Sequence, residues 1–289
     1  MPKLGAFRLE GTWQLRSCEA GFGGYSALLT QPGGMLLGIT DRGSTLRFSP
    51  PGVPRIGPPV FAPVMPWGVM LRTRNDSESA TADPATGRIW IGFETTNAIA
   101  RLDPGRPRPP FVQPPAMAAW PENMGAEAMV RLVDGQFIVL REGFGELDDG
   151  GILGGREHEA LLFPGDPIEG AVPIRFRFVG PGGFRPVDMA QLPDGRVLIL
   201  MRKLVWPLPI RVAGRIVIAD PRAIQAGADW RGTVVARLAS DMPIDNFEGL
   251  ATTPGENGRL TVWLISDANK AVTQRTLLWK LSVDPKALP

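Results

Sequence analysis

Residues 246–280 read NFEGLATTPGENGRLTVWLISDANKAVTQRTLLWK. The order is an acid, a short strand, a glycine turn, a second apolar strand, an acidic loop and a third strand. Weaker copies of this unit recur along the chain. Val187-Asp188-Met189-Ala190-Gln191-Leu192 runs through Asp194-Gly195 into the apolar run 197–200. Ala126-Glu127-Ala128-Met129-Val130-Arg131-Leu132 runs through Asp134-Gly135 into 137–140. Ser77-Glu78-Ser79-Ala80-Thr81-Ala82 runs through Thr86-Gly87 into 89–93, and Tyr25-Ser26-Ala27-Leu28-Leu29-Thr30 through Gly33-Gly34 into 35–39. Aligning the phrases places Ser26, Glu78, Glu127, Asp188 and Glu248 at one position, separated by 52, 49, 61 and 60 residues. Strand repeats of this length with glycine turns predict a β-propeller. The Asp-Gly steps are hairpin signals, because glycine accepts positive φ at little cost.

Two further strands are expected in each unit: 44–49 and 59–64, 98–103 and 110–113, 159–163 and 174–179, 214–220 and 233–238. The last unit has 275–283 and then runs out of chain. Residues 6–15, AFRLEGTWQL, supply its missing fourth strand from the other terminus. Closing the ring in this way removes exposed sheet edges. The fold class is therefore all-β, a propeller of five four-stranded blades, with a sixth degenerate blade as the alternative. The blades fall near 24–65, 76–115, 125–180, 186–240 and 246–284 plus 6–15, in one domain over 1–289.

The bulk numbers fit a single all-β unit of 289 residues, 44% hydrophobic, punctuated by 35 Gly and 30 Pro. No stretch sustains a 3.6-residue period, and 222–228 is expected to form one helical turn. Trp206, Trp230 and Trp263 read as packing residues. The net charge of +2, with scattered basic residues, argues against nucleic acid. Cys18 is the sole cysteine, which leaves no disulfide and no thiolate metal site. His158 is the sole histidine and lies in the polar run Arg156-Glu157-His158-Glu159, so it reads as a solvated loop residue. No nucleophile elbow, Walker loop or dinucleotide fingerprint is present. No run is long and apolar enough to span a bilayer, and Met1-Pro2-Lys3 fits a start left after an export signal.

In a propeller, the loop leading into the innermost strand and the loop leaving the second strand open on one face. The first set contributes Glu78, Glu127, Asp188 and Glu248, with Ser26 as the exception. The second contributes Asp41, Glu94, Glu142 and Asp267, with Arg202 in the fourth blade. Two like charges 4 Å apart cost roughly 1 kcal/mol in water and about 4 kcal/mol at an effective dielectric of 20. Converging carboxylates therefore need a cation, paired Arg or Lys, or raised pKa values. An all-oxygen set suits Ca²⁺, with Mg²⁺ as the alternative, and argues against Zn²⁺. Asn75, Asn123, Asn246 and Asn269 offer neutral oxygens, and Arg42, Arg141, Arg202 and Lys203 offer anion contacts. The competing reading is structural: acids at strand starts accept backbone N–H bonds from neighbouring blades and staple the ring.

Asn-Phe-Glu-Gly-Leu-Ala at 246–251, Ser-Asp-Ala-Asn at 266–269 and Gln-Arg-Thr-Leu-Leu at 274–278 resemble the phytase-like, "esterase-like activity of phytase" family. Thr40-Asp41-Arg42-Gly43, the Asp83–Arg88 turn and the strand end at Glu94 are similar to its earlier blades. The resemblance implies a bacterial protein, exported to the periplasm or secreted, that hydrolyses phosphoesters with a bound metal. The family's acidic residues map onto Glu78, Glu127, Asp188, Glu248, Asp41 and Asp267, and the site expected from the oxygen-ligand chemistry is Ca²⁺ held by Glu78, Glu127, Glu248, Asp267 and Asn246. Asp41 or Asp188 would be the base, and Arg42 and Arg202 would clamp a small anionic or ester substrate. A non-catalytic binding propeller and a Ca²⁺-dependent lactonase or esterase are the alternatives. The chain departs from the family at Ser79-Ala80, where Gly-Leu is usual, and at Ala268, where a second Asp is common.

Overall fold

The computed structural model describes residues 4–65, 76–122, 124–143, 155–205, 211–239, 242, 244–268 and 274–289. Its strands form five sheets, each with a four-stranded antiparallel core, arranged as the blades of a propeller. Blade one comprises Tyr25–Gln31, Met35–Thr40, Ser44–Phe48 and Val60–Pro63. Blade two comprises Ser77–Asp83, Arg88–Phe93, Ala98–Leu102 and Phe111–Val112. Blade three comprises Ala126–Arg131, Phe137–Arg141, Glu157–Phe163 and Ile174–Val179, and blade four Arg185–Gln191, Val197–Val205, Arg211–Ala219 and Thr233–Leu238. Blade five takes Asn246–Pro254, Leu260–Asp267 and Leu277–Val283, and Arg8–Gln14 closes it as the outer strand. The innermost strands touch in the order one, two, three, four, five and back to one.

The repeat is visible down to single hydrogen bonds. In blade three the Leu132 amide bonds Gln136 O and the Gly135 amide bonds Leu132 O, at 2.7 and 2.9 Å; in blade four Leu192, Arg196 and Gly195 repeat both distances. Both turns need glycine, since Gly135 and Gly195 share a φ of +91°.

Each seam between blades is filled by one apolar cluster. Phe247 packs edge-on to Trp279 between blades four and five, with ring centroids 4.8 Å apart. Trp90 meets Phe137 at 5.0 Å between blades two and three. Trp230 packs on Phe176 and Phe178, and Trp263 is buried beside Tyr25 and Leu278. Both Trp230 and Trp263 are thus packing residues, while Trp206 lies outside the described residues. Aromatic burial of this kind supplies roughly 1.5–3 kcal/mol or more per side chain.

Three details differ from the sequence reading. Blade three gains a fifth strand, Asp229–Arg231, which pairs in parallel with Ile174–Val179. Residues 222–228 form no full turn; a 3-10 turn covers only Pro221–Ala223, capped by Asp220. His158 is fully buried within the strand Glu157–Phe163, stacked on Phe178, with Nδ1 2.7 Å from Gly143 O. Burial pushes its pKa down to about 4, so the ring is neutral and not a solvated loop residue.

Candidate functional site at the channel mouth

Every inner strand starts with a β-bulge. In blade one Tyr25 pairs with Thr40 and Ala27 with Ile39, leaving Ser26 as the extra residue. The same step leaves Glu78, Glu127 and Glu248 extra in blades two, three and five. A bulge frees one side chain from the pleat and re-aims it, a device common beside active sites. In blade four the extra residue is Val187, because Pro186 pairs with Met201 and Asp188 with Leu200. Asp188 therefore corresponds to Ala27, Ser79, Ala128 and Gly249, one residue past the acidic position.

That single step sends Asp188 elsewhere. It is buried, and its Oδ2 accepts from the amides of Leu250 at 2.6 Å and Leu28 at 3.4 Å. Oδ1 accepts from the Met189 amide at 2.8 Å. Burial raises its pKa well above the usual carboxylate range, against the pull of these three N–H groups. Asp188 is thus a staple joining the inner strands of blades four, five and one. The staple reading holds for this acid, and the expected base is occupied.

The remaining acids of the first strands meet those that end the second strands. The Glu94 amide bonds Asp76 O, and the Glu142 amide bonds Gly125 O, both at 3.0 Å, so each acid is fixed one step beyond its strand. Gly125 must be glycine here: a Cβ would stand 2.7 Å from Glu94 Cα and 2.9 Å from Glu94 O. The close approach brings blade three against the Glu94 loop. Carboxylate oxygens of Asp76, Glu78 and Glu94 lie within 4.8 Å of one another, and so do those of Glu94, Glu127 and Glu142. Glu94 belongs to both groups. Glu94, Glu127, Glu142, Glu248 and Asp267 are all under a tenth exposed.

Arg202 stands where the other blades carry an exit acid. Its Nε is 3.1 Å from Glu248 Oε1, and one terminal nitrogen is 3.7 Å from both Glu127 and Glu142. Arg185 adds a contact to Glu142 at 3.0 Å. The Asn246 amide nitrogen donates to Glu248 Oε1 at 2.6 Å, and its Oδ1 is buried without a hydrogen-bond partner. These cations do not balance the carboxylates. Burial first, then Glu142 and Asp76, pushes Glu94 up to about 7. Burial, and Asp267 against the pull of Arg202, puts Glu248 at about 7. Glu78 and Glu127 are raised well above their usual value, by burial and then by neighbouring glutamates.

The fold therefore gathers Glu78, Glu127 and Glu248, with Asn246 and Asp267 paired beside them. Asp41 holds the matching position in blade one, with Arg42 Nε 3.8 Å away and half-exposed, but it belongs to neither carboxylate group. Arg141 is turned to Glu159 at 3.2 Å. Asp76 and Arg185 had no place in the sequence-derived site; the signal was present for Asp76, which stands two residues before the bulged Glu78. Asn75, Asn123 and Asn269 lie outside the described residues. No helix among the described residues is long and apolar enough to cross a membrane.

A five-bladed propeller with an acidic, partly neutralised mouth is the class of protein that this fold and site define. The chain belongs to the phytase-like family described as "esterase-like activity of phytase", whose profile matches residues 20–270. Among solved structures it is similar to the PQQ-bound aldose sugar dehydrogenase of Streptomyces coelicolor (14% identity, TM-score 0.48, 94% of this chain and 98% of that one). It is also similar to the PQQ domain of pyranose dehydrogenase from Coprinopsis cinerea (9%, 0.46, 96% and 97%). A third is the Cps50 (Swd1) propeller domain of Myceliophteria thermophila (12%, 0.46, 96% and 94%). No curated protein matches the chain.

Proposed function

We propose that this chain is a metal-dependent phosphoester hydrolase working at the channel mouth. The observation that carries the reading is the pair of carboxylate groups sharing Glu94. Their donors fit Ca²⁺ or Mg²⁺, because every candidate ligand atom is a carboxylate oxygen. Asp76, Glu78, Glu94, Glu127 and Glu142 would hold the ion. A bound divalent cation supplies polarisation of the ester oxygen and a lowered pKa for water. Glu248, poised at about 7 and oriented by Arg202 and Asn246, accepts the proton of the attacking water. Asp188 has no part, and Arg202 serves the glutamates before any substrate. Arg42 and Arg185 stand at the rim for the anionic group of a small substrate.

The test is calorimetric titration of chelated protein with Ca²⁺, Mg²⁺ and Mn²⁺, beside hydrolysis of phosphomonoester, phosphodiester and lactone panels. Saturable binding with phosphoester turnover that chelator abolishes is the expected result. Turnover of lactones alone would move the assignment to a lactonase. Absence of all hydrolysis with metal present would overturn it. A second reading, a non-catalytic ligand-binding propeller, draws on Arg202, whose guanidinium itself serves as counter-ion to Glu127, Glu142 and Glu248. In that case ligand binding survives the chelator.

A further inference from the structure

Blade four carries cations that the mouth does not use. Phe184 and Lys203 each stand one residue from Arg185 and Arg202, which pair across the blade's first two strands. The Phe184 ring is nearly buried, with Arg215 Cζ 4.5 Å and Lys203 Nζ 5.8 Å from its centroid. Arg215 sits directly opposite Arg237 on the neighbouring strand. Like charges in facing positions are destabilising. Burial, and then Arg237, pulls the Arg215 pKa below its usual value.

Elsewhere such costs are met by carboxylates. The part-buried guanidiniums of Arg101, Arg131, Arg141, Arg196 and Arg202 each meet one within 4 Å. Among the described residues, Lys203, Arg215 and Arg237 meet none. Three neighbouring strands instead present three cations, two of them over one ring and the third opposite Arg215. The ring restrains two of them, so little side-chain freedom is lost when an anion arrives. Guanidinium forks match planar and tetrahedral oxyanions.

We infer that Lys203 and Arg215, seated on Phe184, together with Arg237 opposite Arg215, form an oxyanion-binding subsite on the blade-four side of the mouth. Its ligand is a phosphate or carboxylate group. The subsite stands with or without a metal; only its use in orienting a substrate rests on the hydrolase reading.

The test uses the whole chain in chelator at fixed ionic strength, titrated with inorganic phosphate and, separately, acetate, with chloride as reference. Phosphate is expected to raise the melting temperature and bind saturably. Lys203→Gln and Arg215→Gln should each weaken binding by about tenfold, the loss of one charge-assisted contact. Arg222→Gln, whose guanidinium is tied to Asp220 on an outer turn, should bind as the wild type does. Should Arg215→Gln fold poorly, Arg237→Gln on the exposed outer strand gives the same reading. Stronger response to phosphate assigns a phosphate group; an equal or stronger response to acetate assigns a carboxylate. Equal phosphate binding by wild type and Lys203→Gln, or no response to either anion, overturns the subsite. Because chelator is present throughout, failure of the metal reading leaves this result untouched.

Discussion

Asp188 Oδ2 accepts a hydrogen bond from the Leu250 amide at 2.6 Å, and this bond holds the inner strand of blade four to that of blade five. Asp188→Ala would leave the Leu250, Leu28 and Met189 amides without their buried acceptor. An unsatisfied buried donor costs about 1–3 kcal/mol. The melting temperature should fall by several degrees, while calorimetric affinity for Ca²⁺ stays unchanged. Unaltered melting would show that the ring does not depend on this staple.

Asp188 also marks where the sequence stops informing. Five phrases at similar spacing fixed five blades, because a repeated strand pattern has few ways to bury its faces. The alignment by phrase put Asp188 beside Glu78, Glu127 and Glu248. The bulge in blade four falls one residue earlier, at Val187, and a one-residue slip reverses a side chain's direction. Nothing in the local composition marks that slip. His158 shows the converse: Glu157, His158, Glu159 and Ala160 alternate outward and inward, so the strand pattern was present but masked by two charges. Asp229–Arg231 had no local signal, since its pairing is set by a neighbouring blade. Glu94 and Glu142 were legible as strand ends; their meeting depends on how closely Gly125 lets two blades approach.

Arg202 is the internal counter-ion of Glu127, Glu142 and Glu248. Removing one partner from a buried charged cluster typically costs about 3–5 kcal/mol. Arg202→Gln should therefore melt well below the wild type in chelator at pH 8. It should recover a larger share of that loss than the wild type gains on adding Ca²⁺, since a cation then replaces the guanidinium. Equal melting of the two proteins in chelator would remove Arg202 from this role.

Glu94, one of several raised carboxylates at the mouth, and His158 act on opposite pH limbs of the metal-free protein. Glu94 is raised from 4.5 to about 7, so the folded state holds a proton that the unfolded chain has released. Its contribution is fully present below pH 4.5 and is lost as pH rises through about 7, on the order of 3 kcal/mol. His158 is lowered from 6.5 to about 4, so the unfolded chain takes the proton first. Its contribution is present above pH 6.5 and is lost as pH falls toward 4, again about 3 kcal/mol. Denaturant melts from pH 4 to 8 should show Glu94→Gln flattening the alkaline limb and His158→Gln the acidic one. The opposite assignment of limbs would contradict both shifts.

Glu94 is the residue common to both carboxylate groups, and its loss should therefore cost more than that of either neighbour. Glu94→Gln removes one charge and one ligand oxygen from each group, whereas Glu78→Gln and Glu127→Gln each affect one. Titration with Ca²⁺ or Mg²⁺ should show the affinity of Glu94→Gln falling by a factor of about 10 beyond either single neighbour, the effect of roughly 1.4 kcal/mol. Glu10→Gln, on the outer strand of blade five, serves as a surface control and should bind as the wild type does. The Gln variant should also be the more stable protein in chelator at pH 8, because a neutral amide relieves the repulsion from Glu142 and Asp76. A site that binds cations by general surface charge would instead weaken equally in all four variants, and that outcome would dissolve the shared-ligand geometry on which the hydrolase reading stands.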